Sequence, residues 1–297
     1  MNGDLKQYAK RFPFLVSLVR CMRFSIASSR DLYLKLWLLC KSPFSLVYPR
    51  SENLTVSLTS FPERLPYAWA AIESVIQQKC KPSKVILVLS SQQFPSRSLP
   101  LLVRWQVTRG VQVLWIEEDQ KSFKKLIPIL KHERPGRVVT IDDDVIYRAD
   151  FLECLISQAK GSSEFVVGSR GWEVTWKDGS PRPYCEYQRP LPAQPCRDIL
   201  LTGVGGILYP ESVFSLPELS DYNIAKQLCP TADDIWFWSV LRSHHYSFVS
   251  VEKSLFFDNV SVRATPRLKD LNWEGGGNDA ALKAVTTYFR LLPAQSD

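Results

Sequence analysis

The chain has 297 residues, 45% of them hydrophobic and 23% charged, a globular composition that excludes a disordered or repetitive protein. The formal net charge is +7, and residues 1–50 hold nine basic and two acidic side chains, so the remainder is neutral. A basic excess confined to one terminus argues against a nucleic-acid groove and for an arm that meets an anionic surface. Seven cysteines without a Cys-x-x-Cys pair indicate reduced thiols in a cytoplasmic protein.

Residues 1–50 are predicted to form a basic amphipathic helical arm. Its apolar segments, residues 12–19 and 32–40, are too short for the roughly 20 residues of a spanning helix, and they do not fit a cleavable signal peptide. On a helical wheel one face of the arm collects Leu15, Leu18, Met22 and Ile26. That pattern is typical of a helix lying on a membrane surface. The second segment is apolar nearly all round, which instead favours packing on the main domain.

From residue 54 onwards, strand and helix patterns alternate. Strands are predicted at residues 54–58, 84–89, 111–116 and 137–141, and helices at residues 67–78, 99–107, 122–131 and 150–159. This alternation predicts an α/β fold in which residues 51–297 form a single Rossmann-like domain with a mostly parallel central sheet. Beyond residues 165–168 the pattern is less regular, although a helix is predicted at residues 232–242. Residues 51–160 and 161–297 are therefore treated as two functional halves.

Three consecutive acids, Asp142, Asp143 and Asp144, follow the predicted buried strand at residues 137–141. The carboxyl ends of parallel strands are where open α/β sheets bind ligands. Alternate residues of a strand point the same way, so Asp142 and Asp144 could present hard oxygen ligands to Mn or Mg. The alternative interpretation is a solvated acidic turn.

Six blocks, in order along the chain, carry a family resemblance. They are residues 54–64 (LTVSLTSFPER), 124–128 (KKLIP), 142–144 (DDD), 202–206 (TGVGG), 231–236 (TADDIW) and 277–279 (GND). The chain from about residue 52 to 291 resembles a bacterial polysaccharide glycosyltransferase of the capsule or lipopolysaccharide type, with a GT-A fold and family-2-like motifs. The resemblance implies a nucleotide-sugar donor bound by the first half, an acceptor presented by the second half, and a divalent metal.

On the donor side, the resemblance places the nucleoside beside the segment after the first strand and the diphosphate beside a lysine pair and the acids. The implied donor residues are Thr59, Ser60, Glu63, Arg64, Lys124, Lys125, Asp142 and Asp143, with Asp142 and Asp144 on the metal. The sequence leaves open which lysine meets the phosphates. The second strand ends in Ser90 and Ser91, where many relatives have an acid, so the base stays open.

On the acceptor side, a carboxylate must take the proton of the attacking hydroxyl, and Asp234 and Asp233 are the candidates. Thr231 and Asp234 also have the spacing of a helix capping box, a structural alternative. The remaining implied acceptor or sugar residues are Gly205, Gly206, Trp236 and Asn278. Gly205 and Gly206 are predicted to let the backbone approach a ligand or to form a strand bulge, and Asn278 is predicted to cap a helix.

These features predict a single inverting displacement that joins a sugar to a saccharide acceptor. The resemblance implies a lipid-linked acceptor, which would place the enzyme on the inner face of the cell membrane. A nucleotidyltransferase acting on sugar phosphates is an alternative, although it should carry a Gly-rich basic loop after the first strand. A non-catalytic membrane-associated binding module is a second alternative, but it would not need two acid clusters.

Overall fold

A seven-stranded sheet forms the centre of the computed structural model, which describes residues 13–42, 53–133, 136–160, 162–191, 193–251, 255–258 and 276–294, with side chains from residue 25 onwards. The strands of the first half are β1 (Leu54–Thr59), β2 (Lys84–Ser90), β3 (Gln112–Ile116), β4 (Arg137–Thr140) and β5 (Val145–Tyr147). Those of the second half are β6 (Phe165–Gly168), β7 (Gly171–Glu173), β8 (Trp176–Lys177), β9 (Ser180–Pro181), β10 (Ile199–Leu201), β11 (Ile207–Tyr209), β12 (Ser247–Ser250) and β13 (Phe256–Asp258).

The strand order in the central sheet is β12-β6-β11-β4-β1-β2-β3. All neighbours pair in parallel except β11, which runs antiparallel to both β4 and β6. The predicted mostly parallel α/β sheet is therefore confirmed. Outside it, β5 pairs with β13, β7 with β10 and β8 with β9, each antiparallel.

Helices cover both faces of the sheet. They are α1 (Pro13–Lys41), α2 (Leu65–Ile76), α3 (Leu101–Thr108), α4 (Ile127–His132), α5 (Phe151–Gln158), α6 (Tyr222–Leu228), α7 (Asp233–Ser243) and α8 (Gly277–Tyr288). The helix predicted at residues 122–131 is instead a 3-10 turn, Lys121–Lys125, followed by α4. Pro128 lies in the first turn of α4, where its missing N–H and fixed φ are tolerated, and its ring prevents one continuous helix.

The core lies on both sides of the sheet because successive strand residues face opposite layers. On β2, Val85 and Leu87 face the layer that contains α2 and α5, while Ile86 and Val88 face the layer that contains α7. A strand buried on both faces reads as a continuous apolar run. This burial explains why β1, β2 and β4 were recognisable from the sequence.

Helix α1 packs on the main domain through its C-terminal half. Leu38 is 2% exposed and contacts Ala70 and Ile146, and its carbonyl accepts a hydrogen bond of 2.8 Å from the side chain of Gln77. Just beyond the helix, Ser42 Oγ accepts a bond of 2.5 Å from Arg109, which also pairs with buried Glu73 at 2.7 Å. The packing expected of residues 32–40 is therefore observed.

The membrane face predicted for the arm lies mostly outside the described side chains, which begin at residue 25. Leu15, Leu18 and Met22 belong to that undescribed part, whereas Ile26 is 67% exposed. Within the described ranges, no helix combines the length and hydropathy needed to span a membrane.

Two leucines of α1 provide a matched test of this packing. Leu38→Ala should lower the free energy of unfolding by about 2–5 kcal/mol, because it removes buried methyl groups and leaves a cavity. Leu36→Ala, at a position 54% exposed, should change it by less than about 0.5 kcal/mol. Urea unfolding followed by circular dichroism measures both values. Equal effects would show that α1 does not pack on the domain through Leu38.

Candidate functional site

The acidic triplet follows β4 at the carboxyl edge of the parallel strands, and its members have different surroundings. Asp143 is buried and accepts hydrogen bonds from Ser60 Oγ at 2.5 Å and from Arg64 at 2.9 Å. Burial raises the pKa of the Asp143 carboxyl even though Arg64 and Ser60 oppose the shift. The side chains of Asp142 and Asp144 are 30% and 22% exposed. Asp142 and Asp144 are thus the acids that solvent or a ligand can reach.

Lys125 joins the two acid clusters that the sequence places 90 residues apart. Its Nζ lies 3.2 Å from Asp142 Oδ1, 3.0 Å from Asp233 Oδ2 and 3.7 Å from Asp234 Oδ1. Burial by itself would lower the pKa of the Lys125 ammonium, but these carboxylates raise it well above its ordinary value. Lys125 is therefore a permanent buried cation between the first and second halves of the chain.

Asp234 lies in the first turn of α7 and does not cap the helix. The N-cap residue is Ala232, which makes no side-chain cap, and Asp234 Oδ2 instead accepts the N–H of Gly203 at 2.9 Å. Loss of solvent around the carboxyl raises its pKa to about 7, with Asp233 and Asp142 adding to the shift and Lys125 and the Gly203 N–H opposing it. The helix bounds place Asp234 in the first turn, two residues after the N-cap, and its carboxyl can exchange a proton near neutral pH, while the capping-box pairing of Thr231 with Asp234 stays a prediction.

The glycines of residues 203–206 are required by close packing. A Cβ on Gly203 would collide with Lys125 Nζ and approach Asp142 Oδ1 to 3.0 Å, so only glycine lets the ammonium reach its carboxylates. A Cβ on Gly205 would lie 2.6 Å from the backbone nitrogen of Arg170. Gly206 has a φ of +70° and faces the ring of Phe151. Packing alone accounts for glycine at 205 and 206, and their approach to a ligand stays a prediction.

The two lysines of the KKLIP block point into different parts of the molecule. Lys124 is buried, and its Nζ donates to Asp119 at 2.5 Å and to Gln93 at 2.6 Å, residues that follow β3 and β2. Burial lowers the pKa of Lys124, and Asp119 opposes that shift. Lys125 therefore belongs to the acid cluster, while Lys124 lies towards the ends of β2 and β3.

The segment after β1 contributes three anchored side chains and one exposed one. Thr59 Oγ1 donates to the carbonyl of Val88 at 2.8 Å, and Ser60 and Arg64 hold Asp143. Arg64 also lies 3.1 Å from Asp144 Oδ2. Glu63 is exposed. Ser60 and Arg64 therefore orient the acidic triplet.

Two acceptor-side predictions need correction. Trp236 is 1% exposed, packs against Phe289 with ring centroids 5.7 Å apart, and donates its indole N–H to Leu219 at 3.3 Å. It is a core residue that offers no face to a sugar. The predicted cap at Asn278 is also wrong, because α8 begins at Gly277 and its N-cap residue is Gly276, with a φ of +70°. A contact between Asn278 and an acceptor stays a prediction.

Tyr147 is a site residue that sequence reasoning missed. Its buried hydroxyl accepts the N–H of Asp142 at 3.0 Å and donates to the carbonyl of Val204 at 3.5 Å. Burial raises the pKa of this phenol well above its ordinary value. Tyr147 thus ties the acidic triplet to the glycine loop. Its only sequence signal is an aromatic residue three positions after the acids.

The acids fit a divalent metal of the kind that keeps part of its coordination shell for water and phosphate. Within the described part of the chain, no three His, Cys, Asp or Glu side chains form a metal-holding group. Asp142 and Asp144 nevertheless provide two partly exposed carboxylates, and Mg²⁺ is commonly held by one or two carboxylates plus substrate oxygens. The chemistry of the donor set therefore suits Mn or Mg.

Comparison with known proteins gives a fold but no family. A scan of protein-family models finds no match, and no curated protein matches the sequence. The structure is similar to mannosyltransferase PcManGT from Pyrobaculum calidifontis in complex with GDP-Man and Mn2+, with a TM-score of 0.53, 14% identity, and coverage of 91% of this chain and 76% of that one.

A second similar structure is glucosyl-3-phosphoglycerate synthase from Mycobacterium tuberculosis in complex with Mn2+, uridine-diphosphate and glucosyl-3-phosphoglycerate. Its TM-score is 0.48, with 15% identity and coverage of 82% of each chain. At such identities the likeness establishes the fold alone. The match to the mannosyltransferase, together with the seven-stranded sheet, confirms the GT-A fold expected from the sequence.

The raised pKa of Asp234 has a consequence for stability. The Asp234 carboxyl has a pKa of about 7 in the folded protein and an ordinary value of 3.8. Its contribution to stability is therefore fully present below about pH 4, is lost progressively between pH 4 and pH 7, and does not change further above pH 7. Asp234→Asn, which mimics the neutral acid, should match the parent near pH 4 and exceed its stability at pH 8. Urea midpoints at both pH values measure this difference.

Asp178→Asn, at an exposed acid in the turn between β8 and β9, is the control and should show no such pH-dependent difference. An Asp234→Asn difference that is the same at pH 4 and pH 8 would contradict the raised pKa.

Proposed function

We propose that the protein is a glycosyltransferase that moves a sugar from a nucleoside-diphosphate sugar to a hydroxyl of a saccharide acceptor in a single inverting displacement. The observation that carries this proposal is the convergence of two acid clusters on Lys125. One cluster ends a parallel strand, as expected of a donor and metal site, and the other contains an acid with a pKa of about 7, as expected of a general base.

On the donor side, Asp142 and Asp144 would hold the metal, and Arg64 keeps Asp143 and Asp144 oriented. When bound, Mn or Mg supplies positive charge that stabilises the departing diphosphate. The Lys125 ammonium adds charge next to Asp142. The complex of the mannosyltransferase neighbour with GDP-Man and Mn2+ supports a nucleotide-sugar donor and a divalent metal for this chain. Thr59 ends β1, and Ser60 and Glu63 follow it, on the nucleoside side of the proposed donor.

On the acceptor side, Asp234 takes the proton of the attacking hydroxyl. The hydroxyl oxygen forms its bond to the anomeric carbon as the bond to the diphosphate breaks, so the configuration inverts. Between the two candidate acids, Asp234 is favoured because its side chain is 26% exposed and can meet a ligand. Asp233 is 8% exposed and lies 3.0 Å from Lys125, which suits it to hold that ammonium in place.

The wider proposal is a role in bacterial polysaccharide biosynthesis, with a lipid-linked saccharide acceptor and a cytoplasmic location on the inner face of the membrane. Three observations support an anionic membrane as a partner of residues 1–50. The arm carries the whole net charge, Leu32, Tyr33 and Leu36 on α1 are 59%, 66% and 54% exposed, and the Lys41 ammonium lies over the ring of Trp37 at 4.0 Å. Apolar and aromatic side chains flanked by cations suit the interface of an anionic bilayer.

The function is tested by screening nucleotide sugars for Mn-dependent release of the nucleoside diphosphate, followed by two reciprocal variants. Asp234→Asn should lower turnover by about 100-fold or more and leave donor affinity unchanged, because only the general base is lost. Asp144→Asn should instead abolish Mn-dependent donor binding measured by calorimetry. Asp178→Asn should match the parent in both assays.

Each outcome has a defined meaning. Full turnover in Asp234→Asn removes Asp234 as the base, and retained anomeric configuration in the product, observed by NMR, excludes the inverting displacement. Unchanged Mn-dependent donor affinity in Asp144→Asn removes the metal assignment. A parent protein that releases nucleotide from none of the sugars contradicts the proposed function.

Membrane binding is tested separately by flotation of the full chain with vesicles of phosphatidylcholine and phosphatidylserine at low salt. Leu36→Asp should lower the bound fraction about fivefold or more, because it replaces an apolar side chain by a carboxylate that the anionic lipids repel. Leu101→Asp, at an exposed leucine of α3, is the control for a lost surface leucine. A parent chain that does not float with anionic vesicles contradicts this partner.

A further inference from the structure

Two arginines share one tryptophan on the acceptor half of the molecule. Arg170 immediately precedes β7, Trp172 is the central residue of β7, and Arg189 lies further along the chain. The guanidinium carbon of Arg170 is 5.6 Å from the centroid of the Trp172 ring, and that of Arg189 is 4.3 Å from it. The indole of Trp172 therefore makes cation–π contacts with both guanidinium groups.

These two cations have no acidic partner within the described part of the chain. The Nε atom of Arg170 is buried and makes no hydrogen bond, and an Arg189 nitrogen donates to the carbonyl of Gly171 at 3.3 Å. The pKa of Arg189 is lowered by partial burial and then by the charge of Arg170. Like charges held together cost free energy unless an anion compensates them. Half-buried Arg170 and exposed Arg189, which have no acidic partner among the described residues, therefore offer cationic groups to an anion.

A short turn of the backbone connects the pair to the proposed general base. The carbonyl of Arg170 accepts the N–H of Thr202 at 3.0 Å, and the next residue along, Gly203, donates its N–H to Asp234. The Tyr184 ring packs edge-on against Trp172, with centroids 6.4 Å apart. Burial raises the pKa of the Tyr184 phenol, the charge of Asp234 adds to the shift, and the charges of Arg170 and Arg189 oppose it. The Gly203–Gly205 turn separates the arginine pair from Lys125 and the donor-side acids.

We infer that Arg170 and Arg189 form a subsite for an anionic group, a carboxylate or a phosphate, carried by the acceptor. This inference rests on the proposed function and narrows its substrate class to negatively charged saccharides. Guanidinium groups bind both anions through paired N–H donors, and the contacts with the Trp172 ring restrict where the two side chains lie. The donor diphosphate is not the intended ligand, because its cationic partners are on the other side of the turn.

The subsite is tested with the full chain by NMR titration of three probes that differ in charge: methyl glucoside, glucuronate and glucose 6-phosphate. The parent should bind one or both anionic probes and not the neutral one. Arg189→Gln should weaken anionic binding about tenfold to 100-fold, the scale of charge-assisted hydrogen bonds. Arg189 is exposed, so the fold should survive the change. Whether glucuronate or glucose 6-phosphate responds identifies the anion.

Arg182→Gln is the matched control, because Arg182 is an exposed arginine of the same segment that pairs with Glu186 at 3.1 Å. It should bind the anionic probes as the parent does. Arg189→Lys keeps the charge but lacks the paired donors, and it should recover only part of the affinity. Equal binding of the neutral probe by the parent, or unchanged anion binding in Arg189→Gln, overturns the subsite.

The binding assay needs no donor and no turnover, so its failure is separable from failure of the proposed function. Loss of anion binding in Arg189→Gln, in a protein that releases no nucleotide from any sugar, would support the subsite and reject the glycosyltransferase. Nucleotide release in a protein that binds no anionic probe would support the function and reject the subsite.

Discussion

A single buried ammonium, that of Lys125, is the interaction on which the arrangement of the site depends. Moving an ammonium out of water costs several kcal/mol, and the cost is offset here only because three carboxylates lie within 3.7 Å. Those carboxylates come from the end of β4 and the start of α7, and the ammonium can reach them only because residue 203 lacks a side chain. The first half of the chain, the glycine loop and the second half are therefore held together by one charge.

The charge balance around Lys125 determines the chemistry that the site can support. One ammonium does not neutralise Asp142, Asp233 and Asp234, so the cluster keeps negative charge. That excess helps to raise the pKa of Asp234 to about 7, and it leaves Asp142, beside Asp144, suited to a divalent cation. Arg64 has the same role for Asp143 and Asp144 that Lys125 has for the other acids.

Charges of opposite sign are separated by the turn at residues 203–205. Among the described residues, the acids around Lys125 outnumber its ammonium on one side of the turn, and Arg170 and Arg189, which pair with no acid, lie on the other side. A donor bound together with a metal would balance the charge of the acids, and an anionic acceptor would balance the charge of the arginines. Tyr147 and Arg170 fix the two sides of the turn by bonding to Val204 and Thr202, so neither side can shift without the other.

The sequence by itself determined the parallel strands and the acids at their ends, because strands buried on both faces leave continuous apolar runs and the carboxyl edge of the sheet follows from chain direction. The tertiary structure decided which partner each of two neighbouring side chains contacts. Lys124 and Lys125 are adjacent in the chain, yet one pairs with Asp119 and the other with Asp233. Trp236 lies in the core, and Arg189 lies close enough to Arg170, 19 residues earlier in the chain, for the Arg170 charge to lower its pKa. Such pairings depend on contacts between segments distant in sequence, which no local pattern encodes.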